Sequence, residues 1–201
     1  LSDVGVVRAA EAEEAFDLAL ALAKGRRLAG RGIAVLSDGG GHATIVSDCA
    51  GRLGLKLATF SPATAARLRD ILPMRAGIDN PVDFAGIAES DPSSVPPVLA
   101  ACLADPGVAG VVFAGHFGGY HLMTGHAPTQ HKVAAEELAA AYAIATLLGT
   151  SNKPFILHSE HAERGVATLE PIFAAAIPVY GGLESAAKGM AALAHGLAAD
   201  A

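Results

Sequence analysis

Two glycine runs bordered by histidine hold most of the chemistry this sequence could perform. The first, DGGGHAT, spans residues 38–44 and reads Asp38, Gly39, Gly40, Gly41, His42, Ala43, Thr44. Three glycines let the chain turn sharply and let a ligand come close to backbone N–H groups. A helix starting behind them would add unpaired N–H groups and the positive end of its dipole, together an anion site suited to phosphate. His42 could touch such a phosphate, and Thr44 could donate a hydroxyl. The plainer alternative is a tight strand-to-helix turn without a ligand. No Gly-Lys-Ser/Thr follows, so the loop is not a Walker A motif. Gly39 and Gly41 fit the start of a dinucleotide fingerprint, but position 44 is Thr and no acidic residue lies about 20 positions on. A flavin cradle would want a stacking aromatic. The chain has no Trp, and Tyr120, Tyr142 and Tyr180 are not spaced for that task.

The second run, GHFGGYH at 115–121, pairs Gly118 with Gly119 and suits either a ligand loop or a surface against another domain. A third segment, DNPVD at 79–83, pins Asn80 and Asp83 around a proline. It reads equally as an Asx-type turn or as a holder of a ligand or neighbouring domain. Asp38, at the head of the first loop, belongs with this interface group. Histidines 116, 121, 126 and 131 recur every five residues. Helical neighbours need a spacing of three or four, so these are expected to be solvated or hydrogen-bonded, and no metal site is expected. His158, Glu160 and His161 stand together, and a histidine beside a carboxylate suits acid–base work. No nucleophile partners them by spacing, which favours a structural role. GxSxG is absent, and no phosphoacceptor Asp ends the third strand.

The surrounding pattern says what positions these loops. Apolar runs at Gly32–Ser37, 56–59, Gly110–Gly115, 154–158 and 178–180 have strand length. They alternate with helical stretches at 43–53, 61–72, 92–103, 133–148, 163–175 and 183–198. GVVFAG is apolar on both faces, as a central parallel strand must be. Such alternation predicts a doubly wound five-stranded parallel sheet over residues 30–201, with ligands at the carboxyl ends of its strands. Residues 1–29 hold one more helix, over 11–24, read as the tail of a preceding domain. Its apolar stripe is expected to be Phe16, Ala19, Leu20 and Ala23, with Leu18 and Leu22 off it, so cover on more than one side is expected.

Bulk properties narrow the class. The chain has 201 residues, 52% of them hydrophobic, and a net charge of −6, which argues against disorder, nucleic acid and anionic membrane surfaces. No uncharged apolar run approaches the roughly 18 residues of a membrane span. Cys49 and Cys102 fall in helices without CxxC spacing and read as buried, inert thiols of a reducing, cytoplasmic compartment. The chain opens on Leu1 with no signal-peptide order, so a fragment of a larger machine is expected.

Taken in order, "GIAVLSDGGGHATIVSD", "NPVDF", "LADPGVAGVVFAGHFGGYHL", "KPFILH" and "IPVYGGLESAAKGMAAL" resemble the NDP-forming acyl-CoA synthetases, a family that includes ADP-forming acetate–CoA ligases and, more distantly, succinyl-CoA synthetase. The likeness covers most of residues 30–197, and the front segment is similar to the helix closing the preceding domain of fused members. The part resembled is the second flavodoxin-like domain. The resemblance implies that Gly39, Gly40, Gly41 and the start of helix 43–53 face a phosphohistidine carried by another domain. It also implies CoA-binding, phosphohistidine and ATP-grasp domains as partners. ATP or ADP, Mg and CoA would serve the full enzyme, and none would be bound by this domain alone. The family's Ser-His-Thr-Gly-like motif is missing, so none of the eight histidines is expected to be catalytic and the chain should not make acyl-CoA by itself. The alternative reading is a non-catalytic binding module of the same fold, in a protein acyltransferase or a regulatory subunit. Homodimerisation through alanine-rich helices such as 133–148 is a further expectation.

Overall fold

The computed structural model describes residues 6–125 and 127–195. The end of the closing helix at 196–198 and His126 therefore lie outside the described residues.

Three strands form the centre of the sheet because every position on them can be buried. These are β1 (Gly32–Ser37), β4 (Gly110–Gly115) and β5 (Phe155–Ser159). Between β1 and β4 come the short β2 (Lys56–Leu57) and β3 (Val82–Asp83), and β6 (Val179–Tyr180) ends the series. All pairings are parallel, in the order β2-β1-β4-β5-β6. That is the expected doubly wound, flavodoxin-like order. One short strand is added to it. β3 continues the edge of β1, setting Leu36 opposite Val82 and Ser37 opposite Asp83 where β2 has already left.

Asn80 makes that hand-over work. Its Oδ1 accepts from Val35 N at 2.9 Å, and its Nδ2 donates to Ile33 O at 2.8 Å and Ala58 O at 2.9 Å. The side chain thus fills the gap in the ladder where β1 would otherwise bury unpaired backbone groups. Its amide is fully committed to the scaffold.

Helices cover both faces. Ala34, Leu36, Val111, Phe113 and Leu157 point to the side covered by α3 (Pro62–Ile71), α5 (Val95–Ala104), α7 (Ala127–Thr150) and α8 (Glu170–Ala174). Ile33, Val35, Val112, Ala114 and Ile156 point to the opposite side, under α1 (Ala12–Lys24), α2 (Gly40–Arg52) and α9 (Leu183–Leu193). This alternation is the period of two that a two-faced sheet requires. Two short helices, α4 (Ile87–Ser90) and α6 (Tyr120–Met123), lie in stretches read from sequence as irregular. The helix expected over 163–175 shortens to a 3-10 turn, Ala167–Leu169, followed by α8.

The expected stripe of α1 is corrected. Leu18 and Ala21 are buried, whereas Phe16 is 77% exposed. The reason is the partner: α1 lies along α9, with Tyr180 Oη donating to Asp17 O at 2.7 Å and Glu14 paired with Lys188 at 3.1 Å. Those contacts turn the 14, 17, 18 and 21 face inward. The long α7 is apolar enough by length and composition to cross a membrane. Here it flanks the sheet with Val133, Ala140, Ala141 and Ile144 buried, and its alanines 135, 139 and 143 face outward. Cys49 and Cys102 are free and buried, and burial pushes the Cys102 thiol up to about 12.

Candidate site at the carboxyl ends of β1, β4 and β5

Chain order reverses between β1 and β4, so their carboxyl ends open a crevice at the switch point. Asp38 follows β1, His116 follows β4, and Glu160 follows β5. α2 begins at Gly40, earlier than the sequence pattern suggested, so Gly40 and Gly41 form its first turn. Gly39 takes the cap position with φ −147° and ψ 132°, and no side chain caps the helix. Gly40 and Gly41 are both exposed. The first turn of α2 is therefore exposed at these two glycines. Ser37 braces the approach, its Oγ donating to Gly39 O at 2.6 Å.

The other sequence-predicted residues divide into two sets. His42 joins the crevice: its Nε2 lies 2.9 Å from Glu160 Oε1 and its ring meets His116 edge-on at 5.1 Å. Asp83 lies beside Gly40, its Oδ2 only 3.1 Å from where a Cβ on that glycine would sit. Thr44 turns away, donating to Gly40 O at 2.8 Å within its own helix. Gly118 and Gly119 are buried and serve packing. A Cβ on Gly119 would stand 2.1 Å from the His161 ring, and one on Gly118 2.5 Å from Leu169. Asn80 holds the sheet, as described above.

Asp38 is the most unusual group. Its side chain has no exposed surface. Oδ2 accepts from His116 N at 2.7 Å and from Tyr120 Oη at 2.8 Å, while Oδ1 has no hydrogen-bond partner. Burial raises its carboxyl above the usual range, opposed by those two hydrogen bonds.

Glu137 was not singled out from the sequence. It projects from α7 with no exposed surface and accepts from Gly118 N at 2.6 Å and Tyr120 N at 3.0 Å, while His121 Nδ1 lies 2.9 Å away. It thereby shapes the loop that presents His116 and Tyr120. A signal existed: position 137 falls on the same stripe as Val133, Ala140, Ala141 and Ile144, where an acid has no place without buried partners. Of the four evenly spaced histidines, the three among the described residues do not gather. His116 enters the crevice, His121 pairs with Glu137, and His131 is exposed on α7. Glu137→Ala should cost about 3 kcal/mol in urea unfolding, because it strands two buried N–H donors and an imidazole partner. Retention of wild-type stability would show that the loop does not depend on this carboxylate.

His158, on β5, is buried and its Nδ1 accepts from Gly115 N at 3.2 Å. Burial, helped by the nearby His42, lowers it from 6.5 to about 4. The unfolded chain takes up this proton near 6.5 and the folded chain resists it until about 4, so acid favours unfolding across that window. Stability should fall by up to about 3 kcal/mol from this group as pH drops through that range, then level off. His158→Asn, which keeps an acceptor for Gly115 N, should flatten the slope. An unchanged slope in the variant would assign the acid sensitivity elsewhere. Neighbouring His161 is also held down, by burial first and Arg164 second, and neither of its buried ring nitrogens has a partner.

No protein-family model matches the chain. An ADP-forming acetate–CoA ligase of Archaeoglobus fulgidus is 38% identical over 87 residues, or 43% of this chain and 12% of the ligase. The corresponding enzyme of Methanocaldococcus jannaschii is 30% identical over 86 residues, again 43% of this chain and 12% of its own length. A trans-feruloyl-CoA synthase from an unknown prokaryotic organism is 32% identical over 112 residues, 56% of this chain and 16% of the synthase. Among solved structures, a Pyrococcus horikoshii protein superposes with TM-score 0.76 at 24% identity, covering 96% of this chain and 41% of that one. A dinucleotide-forming acetyl-coenzyme A synthetase of Candidatus Korarchaeum cryptofilum, in complex with phosphate and ADP, gives TM-score 0.74 at 22% identity and covers 96% of this chain and 38% of its own. The sequence relatives bear out the resemblance to NDP-forming acyl-CoA synthetases, and the two solved structures bear out the fold. In each of them the matched region is less than half of a longer protein.

Proposed function

We propose that this chain is a domain or subunit of an NDP-forming acid:CoA ligase, in which it offers the N-terminus of α2 to a phosphohistidine borne by a companion domain. The whole enzyme would convert acyl-CoA, NDP and phosphate into the free acid, CoA and NTP through acyl phosphate and phosphohistidine. The observation that carries this reading is the first turn of α2: exposed, without a side-chain cap, and built from Gly40 and Gly41 at the β1/β4 switch point. Amides fixed in that way stabilise phosphoryl charge without reorganising, as an oxyanion hole does. Their reach ends within a few ångströms, so the phosphohistidine must be brought to them by another part of the enzyme. Asp83 would accept a hydrogen bond from the imidazole carrying the phosphoryl group, while Asp38 braces the His116 loop from below. Nucleotide, Mg and CoA would be bound by the companion CoA-binding and ATP-grasp domains. The reading implies a cytoplasmic enzyme, in keeping with two free, buried thiols.

The test is to supply the companion domains and measure CoA-dependent ATP formation together with acid-labile phosphohistidine. Omitting this chain should abolish ATP formation. Undiminished turnover without it would overturn the reading.

A further inference from the structure

Asp38, His42 and His116 come from two loops far apart in sequence, yet each offers a ligating atom within 4.8 Å of the other two. His42 Nδ1 lies 3.9 Å from Asp38 Oδ1. Around a tetrahedral zinc, with bonds of about 2.0–2.2 Å, donor atoms stand roughly 3.5 Å apart, so small rotations of the two imidazoles would bring this set into register around the fixed carboxylate.

Two independent features point to a cation here. The first is the orphaned oxygen: Asp38 Oδ1 is buried without a partner on a side chain with no exposed surface, while Oδ2 is satisfied twice. A buried carboxylate oxygen left unmatched is destabilising unless something meets it. The second is Glu160, which backs both imidazoles. Its Oε1 lies 2.9 Å from His42 Nε2 and its Oε2 3.5 Å from His116 Nδ1. A proton on His42 Nε2, shared with Glu160, leaves Nδ1 as a lone-pair nitrogen, and a proton on His116 Nδ1 would leave Nε2 as one. Histidines that bind metal are oriented by carboxylates in this way. The charge balance agrees, because Asp83 and Glu89 add further negative charge near Asp38 and His116. Such a mouth attracts a cation.

We propose that Asp38, His42 and His116 form a binding site for a divalent transition ion of the zinc type, with Glu160 orienting both imidazoles. Two imidazoles and one carboxylate suit zinc, whereas magnesium and calcium favour all-oxygen sets. His42 and His116 are 18% and 26% exposed, so the fourth position opens to solvent next to the first turn of α2. An ion there would reverse the sign of the mouth and draw an oxyanion to the same place. The inference concerns the ion alone and stands whether or not a phosphoryl group ever reaches α2.

The experiment uses the full chain stripped of metal, titrated with Zn²⁺ by calorimetry and with Co²⁺ by visible absorption. One ion should bind per chain, and the Co²⁺ bands should have the intensity of a four-coordinate site. Glu160→Gln should weaken binding about 10–100-fold, and His42→Ala and His116→Ala should each weaken it further. His131→Ala, on the exposed face of α7, should bind as wild type does. Absence of saturable Zn²⁺ binding below about 100 µM overturns the proposal, as does binding that survives both histidine substitutions. Should a variant misfold by circular dichroism, imidazole proton–nitrogen spectra of the wild type decide the matter. Zn²⁺ must then shift the resonances of His42 and His116, and a shift confined to other histidines rejects the site.

Discussion

Gly41→Leu in the reconstituted synthetase should lower CoA-dependent ATP formation by about a hundredfold or more, with the thermal midpoint unchanged. The size of the loss is that of removing an oxyanion-hole donor. The variant separates function from folding because a Cβ at Gly41 meets no heavy atom within 4 Å. The new side chain therefore has room, and leucine is a better helix former than glycine. Helical Cα–Cβ bonds tilt toward the N-terminus, so the leucine would lie across the amides of the first turn. Gly41→Ala, with one methyl, should lose far less. Gly40 is a poorer test, since its Cβ would press on Asp83 Oδ2 at 3.1 Å and mix stability with activity. Full turnover in Gly41→Leu would remove the phosphoryl role of α2 and leave only the fold. It would leave the metal proposal untouched, because that proposal is read by ion binding alone.

Gly115→Ala should be the most damaging single methyl in the molecule, at about 3–5 kcal/mol and a midpoint lowered by about 10 °C. Gly115 has φ +151°, a conformation side chains rarely adopt, and its Cβ would stand 1.7 Å from Asp38 Oδ1. No rotamer change can relieve this, because the carboxylate is fixed by His116 N and Tyr120 Oη. Relief must come from removing Asp38 itself. Asp38→Ala in the Gly115→Ala background should thus cost less than the sum of the two single changes. Strict additivity, or a Gly115→Ala protein that melts like wild type, would contradict the close seating of Asp38 under the β4 loop. The same pair links the two strands whose ends form the crevice, so the variant should also lose metal affinity.

Local pattern and partner choice account for what could and could not be read beforehand. The central strands β1, β4 and β5 were legible because burial on both faces leaves a continuous apolar run in the sequence. The triglycine loop was legible as a run of one residue type, although none of the three glycines takes a positive φ. β3 was not: it lies in a stretch without a period, and its pairing depends on Asn80 reaching Ile33, Val35 and Ala58. The buried face of α1 was misread for a related reason. Phe16 and Leu18 are equally apolar, and only the position of α9 decides which one turns inward.

The sequence by itself determined the order of elements, the parallel sheet, and the placing of a glycine-led helix after the first strand. These follow from hydrophobic period and backbone freedom, which are properties of neighbouring residues. Tertiary structure alone decided that Asp38, His42, His116 and Glu160 would share one crevice and that Glu137 would be buried beneath their loop. Such gatherings depend on strand order and crossover, which set distant residues side by side, and no local spacing encodes that distance.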